Sequence, residues 1–277
     1  MASGSTLAIF RAVPRLMCQW LTATGMIASM TDLSSTFGNK EVSAQDRELL
    51  IRSVFKRVAP RYDLMNDLMS FGIHRWWKRK LAWAVDPRAG QVIVDLAGGT
   101  GDVARRVAAA ERSVIVCDPS FEMMSAGRAR GSHEVGWLSA VGESLPLRSE
   151  SVDTLTIAFG IRNVTHIDAA LAEVLRVLRP GGRFLCLEFS QPWEPIRPSY
   201  EFFSRTVIPR LGSWVSGNTD AYQYLIESIR RFPDQEEFKA LLEAAGLSEV
   251  SYKNFSFGIC CLHIGIKEKP GSESNIL

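Results

Sequence analysis

Residues 92–102 read Val92-Ile93-Val94-Asp95-Leu96-Ala97-Gly98-Gly99-Thr100-Gly101-Asp102. The apolar run has the length of one buried strand, and the glycines after it let the chain turn tightly into a helix. A glycine backbone that a ligand can approach closely, next to the free N–H groups of a helix start, is typical of a binding turn. The stretch therefore predicts the first strand of an α/β sheet with a ligand site at its carboxyl end.

Strand-like and helix-like segments alternate after this turn. A helix is predicted over 102–110, and the pattern continues with strands at 114–117, 152–159 and 184–187 and a helix over 167–178. This alternation predicts a parallel sheet covered by helices on both faces. Two later runs, 248–252 and 259–266, are close enough in the chain to pair antiparallel, with a helix over 235–245 before them.

Two helices are predicted before the first strand, over 45–59 and 73–85. Residues 1–41 are assigned to an N-terminal extension, disordered or targeting, and residues 42–277 to a single domain. The first 31 residues contain no acidic residue and include Arg11 and Arg15, a composition typical of a mitochondrial transit peptide. A frayed tail, or an upstream stretch before a true start at Met17, Met26 or Met30, explains them equally well.

The composition excludes several classes of protein. The 277 residues are 46% hydrophobic and 22% charged, which is enough apolar surface for a folded core. The net charge of +2 creates no field that would gather nucleic acid. Five cysteines form no C-x-x-C pair, so we expect neither a disulfide framework nor a structural metal. No apolar stretch approaches the ~20 residues of a membrane-spanning helix.

The charge around the glycine turn distinguishes between two ligands. Residues 99–104 satisfy the dinucleotide fingerprint G-x-G-x-x-G/A. Asp95 and Asp102, however, would place like charges beside a pyrophosphate. S-adenosylmethionine carries an ammonium and a sulfonium, which suit carboxylates, and Asp118 ends the next strand near the ~20-residue offset of a ribose-binding acid. We therefore expect Asp95, Asp118 and the turn glycines Gly98, Gly99 and Gly101 to bind S-adenosylmethionine.

Four separated stretches resemble one family, the C-methyltransferases of ubiquinone and menaquinone biosynthesis. The stretches are Tyr62–Ser70 with His74 and Trp77 after it, Phe159–Val164, Arg176–Gly182 with Glu188-Phe189-Ser190 after it, and Tyr222–Ile229. The resemblance covers about residues 42–267. The family usually has Lys where Arg179 stands.

This resemblance implies a doubly wound, mostly parallel seven-stranded, Rossmann-like methyltransferase sheet, with N-terminal helices and a lid insertion after the fifth strand. It also implies methyl transfer from S-adenosylmethionine to a ring carbon of a polyprenylated benzoquinol or demethylmenaquinol. Thr100 and Asp118 then match cofactor contacts, as do the positions of Val141, Gly142 and Ala158. The family often has polar residues where Val141 and Ala158 stand, so the backbone is expected to make the contact there.

A base is needed because a ring carbon becomes nucleophilic once a neighbouring hydroxyl, with a pKa near 10, loses its proton. Candidates for this base, directly or through water, are Asp102, His74 and Tyr62. Asp102, beside the cofactor turn, is the preferred one. Arg162 and Asn163 follow the fourth strand at the same sheet edge and are expected to orient a hydroxyl or to stabilise the phenolate.

The predicted helix over 73–85 mixes four basic residues with three tryptophans, which suits a lipid headgroup region. We expect peripheral association with a membrane surface, on the cytoplasmic face of a bacterial inner membrane or, alternatively, on the matrix face of the mitochondrial one. A homodimer or a quinone-biosynthesis complex is a further expected partnership. The rival functions are an NAD-linked oxidoreductase, a nucleic-acid methyltransferase and a non-catalytic member of such a complex. A nucleic-acid methyltransferase would have the sequence Asn/Asp-Pro-Pro-aromatic after its fourth strand, where this chain has Ile161–Val164.

Overall fold

The computed structural model describes residues 35–37, 40–59, 64, 66–67, 70–131, 134–207 and 219–270. The strands are β1 (Thr36–Phe37), β2 (Lys40–Glu41), β3 (Val92–Leu96), β4 (Ser113–Cys117), β5 (Val135–Leu138), β6 (Val152–Ala158), β7 (Leu178–Phe189), β8 (Leu247–Phe255) and β9 (Cys260–Lys267). The α-helices are α1 (Ala44–Val58), α2 (Ile73–Val85), α3 (Asp102–Val107), α4 (Phe121–Arg128), α5 (Ile167–Val177), α6 (Arg197–Phe202), α7 (Thr219–Arg231) and α8 (Gln235–Ala245). A 3₁₀ turn spans Ile161–Asn163 and a π-helical turn spans Phe203–Val207.

Seven strands form one sheet in the order β5-β4-β3-β6-β7-β9-β8. The strands β3 to β7 run parallel, and β9 is antiparallel to both β7 and β8. This confirms the predicted doubly wound, mostly parallel seven-stranded sheet and the antiparallel pairing of its last two strands. Leu96 pairs with Cys117 of β4 and Ile157 of β6, so three carboxyl ends meet at one edge. The strand order reverses beside β3, which opens a crevice at that edge.

Each face of the sheet has its own apolar core, which explains why the parallel strands read as nearly continuous hydrophobic runs. On one face α5 and α8 pack through Leu171 and Phe238 onto β6 and β7. On the other face α2 and α3 pack through Leu81 and Val103 onto β3 and β4. The glycine turn therefore follows a strand that lies in a sheet covered by helices on both faces.

Helix α1 buries a different face from the one its leucines suggest. Ser43 caps the helix by accepting the N–H of Asp46. Ile51 and Val54 are buried together with Arg47, whereas Leu49 is 63% exposed. A buried arginine at this position indicates that α1 is held by polar contacts as well as by apolar packing.

The hairpin β1–β2 lies within the segment that we predicted as an extension. Phe37 in this hairpin stacks on Tyr224 of α7, with 4.6 Å between ring centroids. The hairpin is thus packed against the domain, while residues 1–34 lie outside the described part of the chain. The domain boundary and the nature of those 34 residues stay predictions.

Several predicted boundaries differ from the structure; β8, for example, extends to Phe255 instead of ending at 252. Helix α3 ends at Val107 instead of 110, because Ala108 has extended backbone. The strand predicted over 184–187 begins earlier, at Leu178, so that β7 includes the Arg179-Pro180-Gly181-Gly182 run, and the register between β6 and β7 shifts between Val152 and Thr154. Proline and glycine are accommodated there because the strands are irregular at that point. The segment after β7 forms α6, the π-helical turn and α7, and its action as a lid stays a prediction.

Candidate functional site

Asp95, near the end of β3, connects the glycine turn to its neighbouring elements through hydrogen bonds. One carboxylate oxygen accepts the N–H of Ala104 in α3 at 3.2 Å, and the other accepts the hydroxyl of Thr156 in β6 at 2.8 Å. Burial raises the pKa of Asp95 to about 6, against the lowering effect of these hydrogen bonds. A Cβ at Gly98 would meet an Asp95 carboxylate oxygen at 2.8 Å, so only glycine fits above this side chain. Asp95 thus ties strand, turn and helix together.

Asp118, after β4, holds the turn from the side. Its Oδ2 accepts the N–H of Gly99 at 2.8 Å, and its Oδ1 accepts the N–H of Ser120 at 2.8 Å. Burial raises the pKa of Asp118 to about 6, although both hydrogen bonds act to lower it. A carboxylate has about four acceptor sites, so each oxygen keeps one free for a ligand hydroxyl.

A cavity of about 330 Å³ opens at this edge of the sheet. Its floor comes from the ends of β3, β4 and β6, including Ala97, Gly99, Asp118 and Phe159. Its other walls come from the loop after β5, through Val141–Glu143, and from α1. The cavity has the size of a small-molecule site.

Strained backbone marks the floor of the cavity. Ala97 and Phe159, which follow the adjacent strands β3 and β6, both have φ values near the left-handed region, +49° and +58°. Between them a Cβ at Gly160 would meet the Cβ of Ala97 at 2.6 Å. Such conformations in non-glycine residues concentrate at functional sites.

Helix α1 covers the cavity and is fixed there by Arg47. The guanidinium donates to the main-chain oxygens of Arg162, Asn163 and Val164 and to the hydroxyl of Thr165, at 3.1 to 3.3 Å. Its Nε donates to the oxygen of Thr36 in β1 at 3.1 Å. One side chain therefore connects the hairpin, α1 and the loop after β6.

The charged groups on the cavity wall are mostly acidic. Asp118, Glu143 and Glu48 line it together with one arginine, Arg52, which is paired with Glu48 at 2.6 Å. Glu143 accepts the N–H groups of Thr165 and His166. This wall favours a cationic ligand over an anionic one.

Asp102, the preferred base, is clamped between two cations. Lys78 of α2 and Arg106 of α3 each approach one of its carboxylate oxygens at 3.2 Å. Burial alone would raise the pKa of Asp102, but Lys78 and Arg106 outweigh burial and hold the pKa below its usual value. The side chain remains a quarter exposed, which leaves it accessible to water.

His74 is buried at the start of α2. Its Nδ1 lies 2.9 Å from the hydroxyl of Ser70 and 3.7 Å from a carboxylate oxygen of Asp67. Burial, with help from Lys78, lowers the pKa of His74 to about 4, so the ring is neutral at pH 7. Tyr62, the third candidate base, lies outside the described residues.

Arg162 and Asn163 lie side by side in the 3₁₀ turn after β6. The Nη1 of Arg162 forms a buried ion pair with Glu188 of β7 at 2.6 Å and donates to the oxygen of Phe159. The side-chain oxygen of Asn163 accepts the hydroxyl of Tyr224 at 2.9 Å. Asn163 lines the cavity, and Arg162 lies beside it.

The structure brings only some of the predicted residues to the cavity. Gly99, Asp118, Val141, Gly142 and Asn163 line it. The other predicted residues that the structure describes are not part of the cavity wall: Asp95, Gly98, Thr100, Gly101, Ala158, Asp102, His74 and Arg162. Their assigned roles stay predictions.

Sequence reasoning missed the contribution of α1 and of Arg47, Met123 and Glu188. The helix itself was visible in the apolar periodicity, but nothing in that periodicity indicates a cavity beneath it. Glu188 carried a usable signal, because a glutamate in the apolar run of a buried strand at the ligand edge needs a partner.

Comparisons with known proteins agree on one family. A model of the ubiE/COQ5 methyltransferase family matches residues 40–267. The protein from Rubrivivax gelatinosus named ubiquinone/menaquinone biosynthesis C-methyltransferase UbiE is 60% identical over 237 residues, which are 86% of this chain and 94% of that protein. The protein of the same name from Caulobacter vibrioides strain NA1000 / CB15N is 50% identical over 249 residues, 85% of this chain and 99% of that one.

A solved structure supports the fold. The crystal structure of a SAM-dependent methyltransferase from Thermotoga maritima matches 79% of this chain and 100% of its own, with a TM-score of 0.58. Its sequence is 20% identical, so the likeness is one of fold alone.

Proposed function

Because the chain belongs to the ubiE/COQ5 methyltransferase family, we propose that it methylates a ring carbon of a polyprenylated quinol in ubiquinone or menaquinone biosynthesis. The methyl donor is S-adenosylmethionine, as the family and the fold indicate. The quinol is proposed as the acceptor from the names of the relatives.

The observation that carries the proposal is the acidic cavity beside Gly99 and Asp118. Asp118 has acceptor sites left for ribose hydroxyls, and the acids on the wall suit an ammonium and a sulfonium. Gly99 has a φ of +55°, a conformation that favours glycine, and its backbone without a Cβ lets a ligand approach closely. The residues present therefore fit the cofactor.

When bound, S-adenosylmethionine supplies an electrophilic methyl group. The protein must then manage two protons: one from a ring hydroxyl, with a pKa near 10, and one from the methylated ring carbon. Loss of the second proton restores aromaticity and is strongly downhill, so a weak base suffices for it. The first proton needs a stronger acceptor.

The sequence made Asp102 the preferred base for the ring hydroxyl, with His74 and Tyr62 as the other candidates for that role. From its surroundings in the structure we instead assign the ring-carbon proton to Asp102, acting through water. Its clamp of Lys78 and Arg106 makes it a weak base, which suits this step. We propose that Asn163, on the cavity wall, and Arg162 beside it orient the ring oxygens. His74 and Tyr62 stay alternatives from the sequence alone.

The test supplies purified protein with labelled S-adenosylmethionine and, separately, with demethylated benzoquinol and demethylmenaquinol. We expect a gain of one methyl group on a ring carbon of at least one quinol, identified by mass spectrometry. Retention of labelled NAD in place of the cofactor, or no methylated quinol under reducing conditions, would contradict the proposal.

We also propose that the protein associates with a membrane surface through an aromatic ridge formed by Trp76, Trp83, Trp193 and Phe257. These side chains are 41% to 62% exposed. Lys80 lies over the rings of Trp76 and Trp83, at 5.4 and 4.5 Å, and Trp193 contacts Phe257 edge-on. Exposed tryptophans beside basic residues suit a lipid headgroup region.

Not every aromatic or basic residue of α2 belongs to this ridge. Trp77 is buried and donates to the hydroxyl of Ser256, and Lys78 is buried against Asp102. Within the part of the chain that the structure describes, no helix has both the length and the apolar character needed to cross a membrane. The bacterial or mitochondrial face, the homodimer and the larger complex stay predictions from the sequence.

A further inference from the structure

A group of unpartnered polar atoms lies at the end of β7, next to the cavity. Glu188, Ser190 and Arg162 are 1%, 3% and 4% exposed. Among the described residues, no hydrogen-bond partner reaches Oε2 of Glu188, Oγ of Ser190 or Nε of Arg162. Leaving buried polar atoms unpaired is costly, and the cost is greatest for charged groups. Three such atoms in one place indicate a site that is completed by another molecule.

This group adjoins the wall of the cofactor cavity. The N–H of Phe159 donates to the oxygen of Leu187, so the cavity-lining Phe159 lies directly beside the end of β7. The oxygen of Phe159 also accepts from Arg162. A ring held between Phe159 and Asn163 would therefore have the carboxylate of Glu188 as a near neighbour.

We propose that Glu188 accepts the proton of the ring hydroxyl next to the carbon that is methylated, an inference that rests on the proposed function. The hydroxyl proton passes to the free Oε2 of Glu188, and the O–H electron pair enters the ring. The ring carbon forms a bond to the methyl carbon as the methyl–sulfur bond breaks, and the electron pair of that bond stays on sulfur. The ring carbon then loses its own proton to Asp102 through water, and Glu188 returns its proton to the ring oxygen.

The surroundings of Glu188 suit a proton acceptor. Burial raises the pKa of Glu188, although Arg162 acts to lower it. The other titratable groups that face it are Cys186 on its own strand, Cys260 of β9 and Tyr224 of α7. Burial raises the pKa of each of these three, so they stay neutral at pH 7.

The variant Glu188→Gln tests this role because the amide keeps the size of the side chain and can still accept from Arg162. Its matched control is Glu243→Gln, at an exposed position of α8 where Glu243 pairs loosely with Lys239. We expect kcat of Glu188→Gln to fall about 10²- to 10⁴-fold, the range of general-base catalysis. We expect its affinity for S-adenosylmethionine to change less than twofold, and the acid limb of the kcat profile against pH to disappear.

A folded Glu188→Gln protein that keeps turnover within threefold of the wild type, or keeps the acid limb, would overturn the inference. If that variant fails to fold, Glu188→Asp keeps the charge and moves the carboxylate back by one methylene. We then expect at least a tenfold fall in kcat with the acid limb retained, and unchanged turnover would overturn the inference. A wild-type protein that methylates no quinol would instead refute the proposed function itself.

Discussion

Arg47 of α1 donates to the main-chain oxygen of Arg162 at 3.1 Å, so the helix above the cavity is fixed to the turn that carries the proposed substrate residues. The cavity and the proposed substrate residues thus belong to one connected piece of structure. A substitution at Arg47 is therefore expected to affect both the cavity and the turn after β6.

Replacing Arg47 with Ala should loosen the cover of the cavity. Several main-chain oxygens would lose a charged donor, and each such hydrogen bond is worth about 1.5–3 kcal/mol. We expect at least a tenfold weaker affinity for S-adenosylmethionine, measured by equilibrium dialysis, and a lower free energy of unfolding. Arg57→Ala, at the exposed end of α1, is the control. Equal affinities in the two variants would refute the role of Arg47.

The affinity for S-adenosylmethionine should depend on pH through Asp118. Its pKa in the free protein is about 6, and the cationic ligand prefers the charged carboxylate. The affinity should therefore be fully present above pH 6 and fall up to tenfold per unit as the pH drops below it. Calorimetric titrations from pH 5 to 8 measure this. Asp118→Asn should bind weakly with a flatter profile, and a wild-type profile that rises toward low pH would contradict the assignment.

Asp102→Asn should lower turnover by about tenfold while leaving cofactor affinity within threefold, because the carboxylate is assigned to a downhill proton transfer in which water can partly replace it. Single-turnover kinetics and dialysis measure the two quantities separately. Asp86→Asn, just after α2, is the control, since Asp86 is exposed and pairs with Arg88. Comparable losses of turnover and affinity would show that Asp102 serves binding.

The variant Gly127→Ala combines two effects of opposite sign on the free energy of unfolding, a better helix propensity and a steric clash. Alanine is favoured over glycine in a helix by about 1 kcal/mol. At this position of α4, however, a Cβ would meet the main-chain oxygen of Thr100 at 2.6 Å. We expect a net destabilisation of about 2 kcal/mol and weaker cofactor binding, seen in denaturant unfolding. Ser125→Ala in the same helix should be neutral or stabilising. A stabilised Gly127→Ala protein would show that the glycine turn can move away.

Removing the exposed tryptophans should weaken membrane association. We expect the double variant Trp76→Ala and Trp83→Ala to partition at least tenfold less onto vesicles with anionic lipid, because both rings are proposed to enter the headgroup region. Vesicle sedimentation measures the bound fraction. Phe121→Ala, which removes an exposed ring from α4, should bind as the wild type does. Equal binding of all three proteins would refute the aromatic ridge.

The fold was readable from the sequence because the parallel strands are buried on both faces and each ends at a turn signal. The positions of β3, β4 and β6 follow directly from such runs. The bounds of β7 did not follow, because the Pro180-Gly181-Gly182 run is a loop signal by local rules. The structure accommodates the run in β7 as an irregular stretch between Leu178 and Arg183, the two residues that pair with β6 on either side of it.

The site was only partly readable. Asp118 was found because its distance along the chain from the glycine turn reflects the spacing of adjacent strands. Asp95 was expected to bind the cofactor; in the structure it accepts hydrogen bonds from Ala104 and Thr156, and its role toward the cofactor stays a prediction. The acidity of the wall comes partly from Glu48 in α1, and contacts between distant segments leave no trace in local periodicity.

The last strand of the sheet, β9, lies between β7 and β8. During synthesis from the N-terminus, one edge of β7 therefore remains unpaired until residues 260–267 have left the ribosome. Glu188 is on that unpaired edge, so the proposed proton acceptor acquires its surroundings only after β9 has been synthesised. A truncation before residue 260 should leave an aggregation-prone nascent chain rather than a smaller working enzyme.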